Sequence, residues 1–334
     1  MTSINPPVCH ADTVEVIRQA FGGSRGLMAS VPMPGGQINA TSLTILENGD
    51  RLILRAAPSE ADASAGPSWL SSRGLRRELA AIAALPDLAH LLPVTVAHDF
   101  EDNFLGRDWV LQQVMPGVPL STVDATLEPD TRETIWTELG AFTRQMHDHT
   151  SATFGPLGED GYERWSGMLA WDAAGLLDDA NRFSLPVAPF QRLARMIADQ
   201  SGTLDDVGRP ALIHSDLLPP HVFVSDDDDD DGALHLAGVI DLEFARYADR
   251  ASEHLLPSFA LGYVPEELHG AFNSGYATAG PIEPRPGGAF RRALYLALDH
   301  GWNASLVAFQ GGDTASLIDQ LEDALTEAEA LATG

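Results

Sequence analysis

The chain contains no lysine: its 20 basic residues are all arginine, set against 48 aspartates and glutamates. Chemistry that needs a Schiff-base amine or a phosphate-gripping Lys is therefore excluded, and no Gly-x-x-x-x-Gly-Lys phosphate loop exists. The net charge of -28 repels nucleic acid and anionic membranes and attracts cationic small molecules. A single cysteine, Cys9, rules out a disulfide within the chain and any metal site built from cysteines. No apolar run approaches the roughly 20 residues of a membrane span. Met1 to Ala20 shows no basic region leading into an apolar stretch. These absences set the expectation of a soluble, cytoplasmic protein.

What is present is ordinary globular material: 334 residues, 44% of them hydrophobic, enough for two modest domains or one large one. Val14 to Phe21 reads as a short helix stopped by Gly22-Gly23. Met33-Pro-Gly-Gly36 leads into a strand over Ala40 to Leu46. Glu47-Asn48-Gly49-Asp50 predicts a tight hairpin turn, because Asn-Gly adopts the positive φ values a two-residue loop demands. Arg51 to Ala57 is then the returning strand. A polar loop from Pro58 to Ser72 precedes a helix over Arg73 to Leu85, and Leu92 to His98 and Trp109 to Val114 read as further strands. Met115-Pro-Gly-Val-Pro119 breaks the pattern like a hinge.

Beyond it the periodicity is helical over Thr131 to His147, Pro189 to Asp199, Glu266 to Ala277, Ala289 to His300 and Thr314 to Leu331. One β-like island interrupts these helices, from Ala211 to Val224 and from Leu234 to Asp241. The six aspartates Asp226 to Asp231 between its halves read as a solvated loop. The expected architecture is an α+β, bilobal one. A β-rich lobe covers residues 1–112, a hinge 113–119, and a larger, mainly helical lobe 120–334.

The island carries the chemistry. It runs Ile213-His214-Ser215-Asp216, reaches His221 five residues later, and closes on Ile240-Asp241. In phosphoryl transfer a protein mainly positions groups and stabilises charge. One carboxylate must meet the acceptor hydroxyl, and two further groups must hold a cation against phosphates.

These residues resemble the aminoglycoside-phosphotransferase family, relatives of the protein kinases, whose catalytic loop runs His-Gly-Asp-x-x-x-x-Asn with an Ile-Asp two strands on. The likeness spans roughly residues 30 to 305. It implies a protein-kinase-like fold and transfer of phosphate from ATP or GTP, with Mg²⁺, to a small-molecule hydroxyl. Asp216 would be the catalytic base, His221 and Asp241 the metal ligands, and His214 a structural ring. In the first lobe the likeness assigns Gly36 and Asn39 to a phosphate-covering hairpin and Arg55 to the strand position that grips phosphate. Glu78 would be Arg55's helix partner, and Gln112 and Val114 would lie at the nucleotide hinge.

Two departures stand out. His221 replaces the usual Asn, as in the macrolide phosphotransferase branch, and imidazole is softer than the oxygen donors Mg²⁺ prefers. Arg55 stands where a Lys is usual, and its planar fork grips with different geometry. Glu253 falls where an acidic residue braces the loop, while His147, His235 and His254 read as surface or capping residues. Glu243, Glu266 and Glu267 are candidates to meet amines of a cationic antibiotic. The implied partner is a small molecule, bound by a monomer or homodimer. The rival reading is a kinase-fold protein that binds nucleotide or ligand without transfer. Gly22-Gly-Ser24-Arg-Gly26 matches a nucleophile elbow in letters only, since no strand precedes it. A zinc hydrolase on His214, Asp216 and His221 would need an open water position besides its ligands.

Overall fold

β2 (Ala40–Leu46) turns into β3 (Arg51–Ala56) through the three-residue loop Glu47-Asn48-Gly49, in which Gly49 is left-handed at φ 89° and Asn48 is not. The sequence predicts instead a two-residue turn with positive φ at both Asn48 and Gly49. The computed structural model describes residues 6–33, 36–101, 104–226, 233–253, 264–280 and 287–332. Gly35, His254 and Asp227 to Asp231 lie outside them. Strand β1 (Leu27–Pro32) precedes the hairpin, and β4 (Thr95–Asp99) and β5 (Trp109–Gln113) follow it. Together they form an antiparallel sheet in the order β1-β2-β3-β5-β4.

The two-residue period of a strand divides this sheet into faces. Leu54 and Ala56 join Trp109 and Leu111 in a core covered by α1 (His10–Phe21). Gly22, left-handed at φ 58°, ends that helix. Arg55 alternates to the opposite face, towards α3 (Gly74–Ala84), which follows the short α2 (Glu60–Ala65). Each fully buried aliphatic chain in such a core contributes about 1.5–3 kcal/mol.

Past the sheet the chain crosses Gly117, at φ 80°, where a Cβ would stand 2.0 Å from the Val224 carbonyl oxygen. The strand β6 (Val118–Pro119) then joins a second small sheet, β10-β9-β6, with β7 (Gly155–Pro156) and β8 (Ala211–Ile213) intervening in sequence before β9 (Val222–Asp226) and β10 (Leu234–Val239). A third sheet has the order β7-β11-β8, with β11 spanning Arg246–Ala248.

The helices are α4 (Leu120–Val123), α5 (Pro129–Asp148), α6 (Trp165–Arg182), α7 (Val187–Asp199), α8 (Ser201–Asp205), α9 (His269–Tyr276), α10 (Gly288–Phe309) and α11 (Ala315–Ala332). One core packs α5 and α9 around the strands β8 to β10; the other packs α6, α7, α10 and α11. Helices α5 and α9 meet backbone to backbone, since a Cβ at Gly275 would lie 1.8 Å from the Thr137 carbonyl oxygen.

The largest departure from the sequence reading is α6, an 18-residue helix absent from it. Its buried residues Trp165, Met168, Leu169, Asp172, Ala173, Leu176, Asp179 and Ala180 recur at helical spacing on one face, but Asp172 and Asp179 interrupt the apolar character of that stripe and Gly167 and Gly175 weaken the propensity. Helix α10 also continues nine residues past His300, to Phe309. The expected strand from Leu92 begins only at Thr95, after a 3₁₀ segment over Pro86–Leu91. Among the described residues no helix is long and apolar enough to cross a membrane.

Candidate active site

Strand β8 delivers the chain to His214, and backbone geometry then bends it sharply. Ser215 takes φ 68°, a left-handed conformation that costs an L-residue about 1–2 kcal/mol and that Gly adopts freely. Its buried hydroxyl has no hydrogen-bond partner among the described residues.

His214 fixes the bend from three sides. Its ring Nδ1 accepts from the Asp216 backbone N–H at 3.3 Å, and its Nε2 donates to the Ile240 carbonyl oxygen at 3.0 Å. Its own backbone N–H donates to Glu253 Oε2 at 2.6 Å. Burial pushes its pKa down, which keeps the ring neutral and suits one nitrogen that accepts and one that donates.

The bend places Asp216, His221 and Asp241 so that one donor atom from each lies within 4.8 Å of the others. His221 Nδ1 donates to the Asp216 carbonyl oxygen at 2.8 Å, and its Nε2 faces Asp241 Oδ2 at 3.4 Å. The backbone bond fixes the tautomer and aims Nε2 as the free nitrogen, which is how ligating histidines are oriented. Two carboxylates and an imidazole are a workable set for a divalent cation, softer than an all-oxygen one.

Asp241 itself is left-handed at φ 71°. Burial pushes its carboxyl up, but Arg55, His221 and His214 outweigh that and hold it below the usual carboxylate range. Asp216 behaves oppositely. Burial, with Asp241, Glu253 and Asp299 nearby, pushes it up to about 7 against the pull of His221. Neighbouring carboxyls with pKa values driven apart are what a division between proton acceptor and permanent anion requires.

Arg55 arrives from β3. One guanidinium nitrogen donates to Glu78 Oε2 at 2.5 Å and another bonds Asp241 Oδ1, so a single fork ties α3 to the end of β10. Burial alone would lower its pKa, yet Glu78, Asp241 and Glu243 hold it above the ordinary value. Gln112 does not point its side chain at a hinge; its Nε2 donates to Glu78 Oε1 at 2.7 Å. Val114, just after β5, is 41% exposed. Gly36 and Asn39 lead into β2, and Asn39 Nδ2 donates to Glu243 Oε2 at 2.6 Å.

That last bond reassigns Glu243. It is a buried carboxyl pushed up to about 8 by burial and by Asp241 alongside, and it ties the hairpin to the segment after β10. The expected acidic group for a cationic acceptor is not assembled: Glu267 pairs with Arg132 at 3.2 Å, which also holds Asp124. His147 is likewise not a surface residue. It is 4% exposed, its Nδ1 lies 2.8 Å from the Tyr276 hydroxyl, and its Nε2 lies 3.7 Å from Glu253. His235 is half-buried and bonds Glu138 at 2.8 Å. Asp299 was not anticipated, because nothing in the spacing of α10 connects it to a loop some 80 residues earlier.

The phosphotransferase enzyme family model matches residues 31–294. Among solved structures, a protein described as a fructosamine-3-kinase from Thermobifida fusca YX-ER1 superposes with TM-score 0.65 at 16% identity, covering 95% of this chain and 98% of its own. APH(2")-IIa in its ternary complex with streptomycin and ATP gives 0.59 at 12% identity, covering 96% and 97%. The macrolide 2'-phosphotransferase MphH from Brachybacterium faecium gives 0.51 at 16% identity, covering 95% and 97%. At these identities the likeness is one of fold. No functionally curated protein matches the sequence.

Proposed function

The chain belongs to the phosphotransferase enzyme family, and from that membership we propose that it moves the γ-phosphate of ATP or GTP to a hydroxyl of a small natural product. The acceptor in this reading is an antibiotic such as an aminoglycoside or macrolide, and modification would confer resistance. The observation that carries the reading is the convergence of Asp216, His221 and Asp241 with the Arg55 fork between Glu78 and Asp241.

Asp216 aligns the acceptor hydroxyl and takes its proton as the new bond to the γ-phosphorus forms and the bond to the β–γ bridging oxygen breaks, releasing the nucleoside diphosphate, a task for which a carboxyl lifted to about 7 is well matched. Arg55 and the backbone around Gly36 and Asn39 hold phosphate oxygens. Gln112 keeps Glu78 in place beneath Arg55. A Mg²⁺ held by His221 and Asp241 would neutralise charge on the nucleotide phosphates. The lobes divide at residue 112, with 113–119 as the connecting hinge, a reading supported by the pairing of β6 with β9.

The test is transfer of labelled phosphate from ATP and GTP to a panel of aminoglycosides, macrolides, peptide antibiotics and sugars, with Mg²⁺ present and absent. Transfer to at least one acceptor upholds the proposal. The contact of Arg55 with Asp241, together with His221 in the metal position, favours a second reading in which nucleotide binds without transfer. Magnesium-dependent nucleotide binding with no acceptor labelled would select it.

A further inference from the structure

Three of the six tryptophans meet in one pocket of about 250 Å³: Trp69 from the loop after α2, Trp171 from α6 and Trp302 from α10. Asp172, Ala174 and Gly175 of α6 and Ser68 complete its lining. The pocket is built from fixed parts. Buried Asp179 accepts from the Ser68 backbone N–H and hydroxyl at 2.9 Å, clamping the Trp69 loop onto α6. Gly175 permits this approach, since a Cβ there would stand 2.6 Å from Ser68 Oγ. Trp171 is nevertheless 50% exposed, an unusual position for the largest side chain unless it has something to meet.

The chain connects the pocket to the candidate active site. Trp69 packs edge-on against Phe244, three residues past Asp241, with ring centroids 5.7 Å apart. Asp172 Oδ2 accepts from Arg246 at 3.1 Å, and Arg246 pairs in register with Ile213, three residues before Asp216.

The chemistry of the lining narrows its occupant. Asp172 is the one acid of the lining, and Arg246 compensates its charge while its guanidinium lies 5.1 Å from the centre of the Trp302 ring. A polycation would meet a neutralised carboxylate and a cation already stacked on indole. A purely apolar guest fares no better, because it would cover the Asp172 carboxylate without offering it a donor. A sugar ring satisfies both sides: its C–H face is apolar and flat, and its edge carries hydroxyls that can donate to the planar Asp172 carboxylate. The volume suits one such ring, being below the roughly 300–1,000 Å³ of sites for whole drug-sized ligands.

We propose that this pocket seats one pyranose ring of the acceptor, its C–H face on the indoles and its hydroxyl edge towards Asp172. Identifying the occupant as the acceptor rests on the phosphotransferase reading; the sugar site itself does not.

Tryptophan fluorescence and ligand-observed NMR titrations of the full-length wild type, Trp171→Ala and Asp216→Ala test it, with and without Mg²⁺ and nucleotide. The probes are methyl glycosides of glucose, mannose and N-acetylglucosamine, with spermine as a polycation and phenol as a flat ring without a hydroxyl-rich edge. Saturable binding of at least one glycoside is expected, unchanged by Asp216→Ala and weakened about tenfold by Trp171→Ala, the worth of one lost stacking face. Trp171→Ala should melt where the wild type does, since the side chain is half exposed. Failure of every glycoside to bind, preference for spermine or phenol, or equal affinity in Trp171→Ala overturns the proposal. Glycoside binding without phosphate transfer to any acceptor leaves the sugar site standing and removes the catalytic reading. Transfer with a KM indifferent to Trp171→Ala does the reverse.

Discussion

Replacing Arg55 by alanine removes the cation on which two elements converge. In the native protein its side chain is 9% exposed and Glu78 is fully buried, so water offers little compensation once the guanidinium is gone. Breaking a buried ion pair from one side costs about 3–5 kcal/mol, most of it the desolvation of the charge left behind. Here two carboxylates lose their partner, and buried Glu243 loses a nearby positive charge. The sign with pH follows from Asp241. Its native pKa lies below the unfolded value of 3.8 chiefly because Arg55 overcomes burial. Without Arg55 the effect of burial prevails and the folded pKa moves above the unfolded one. A raised carboxyl favours folding only below its unfolded pKa and loses that advantage as pH rises. Urea unfolding of Arg55→Ala against wild type, in metal-free buffer, should therefore show a deficit of about 3–5 kcal/mol at pH 8 and a smaller one at pH 5. A deficit under about 1 kcal/mol at pH 8, or one that does not shrink on acidification, would refute the claim that Arg55 is the electrostatic keystone of the site.

Other expectations follow from single positions. Ser215→Gly should stabilise the protein by about 1 kcal/mol in urea melts, because it relieves a left-handed L-residue and removes an unpartnered buried hydroxyl, partly offset by glycine's entropy. Gly275→Ala should lower the urea midpoint by an amount worth about 2 kcal/mol or more, since α9 must withdraw from the Thr137 carbonyl. His221→Asn supplies a harder oxygen donor, so calorimetry of nucleotide binding should show Mg²⁺ dependence kept or strengthened. His221→Ala should weaken that dependence about tenfold or more.

Where neighbouring residues determined a feature, the sequence was readable. The Asn48-Gly49 hairpin, the alternation that sends Arg55 away from Leu54 and Ala56, and the helical period of α5 are all local properties. The spacing from Asp216 to His221 is local too, because one short loop spans it. What escaped depends on packing between distant segments. Gln112 looks like any strand residue until β5 pairs with β3 and carries it to Glu78. His147 reads as a polar helix end, yet the close approach of α5 and α9 buries it against Tyr276. Glu243 reads as an exposed acid, and its burial depends on Asn39, 204 residues away. Trp69, Trp171 and Trp302 carry no joint signal at all, and in α6, which supplies one of them, the aspartates Asp172 and Asp179 sit in the buried stripe and mask its apolar period.

The measurement closest to the central claim is single-turnover phosphate transfer by Asp216→Asn beside wild type, with nucleotide affinity measured on the same samples. Asparagine keeps the shape of the side chain but cannot accept the acceptor's proton. The account predicts nucleotide affinity within about twofold of wild type and a transfer rate lower by about 10²–10⁴-fold. Transfer by Asp216→Asn at close to the wild-type rate would contradict it.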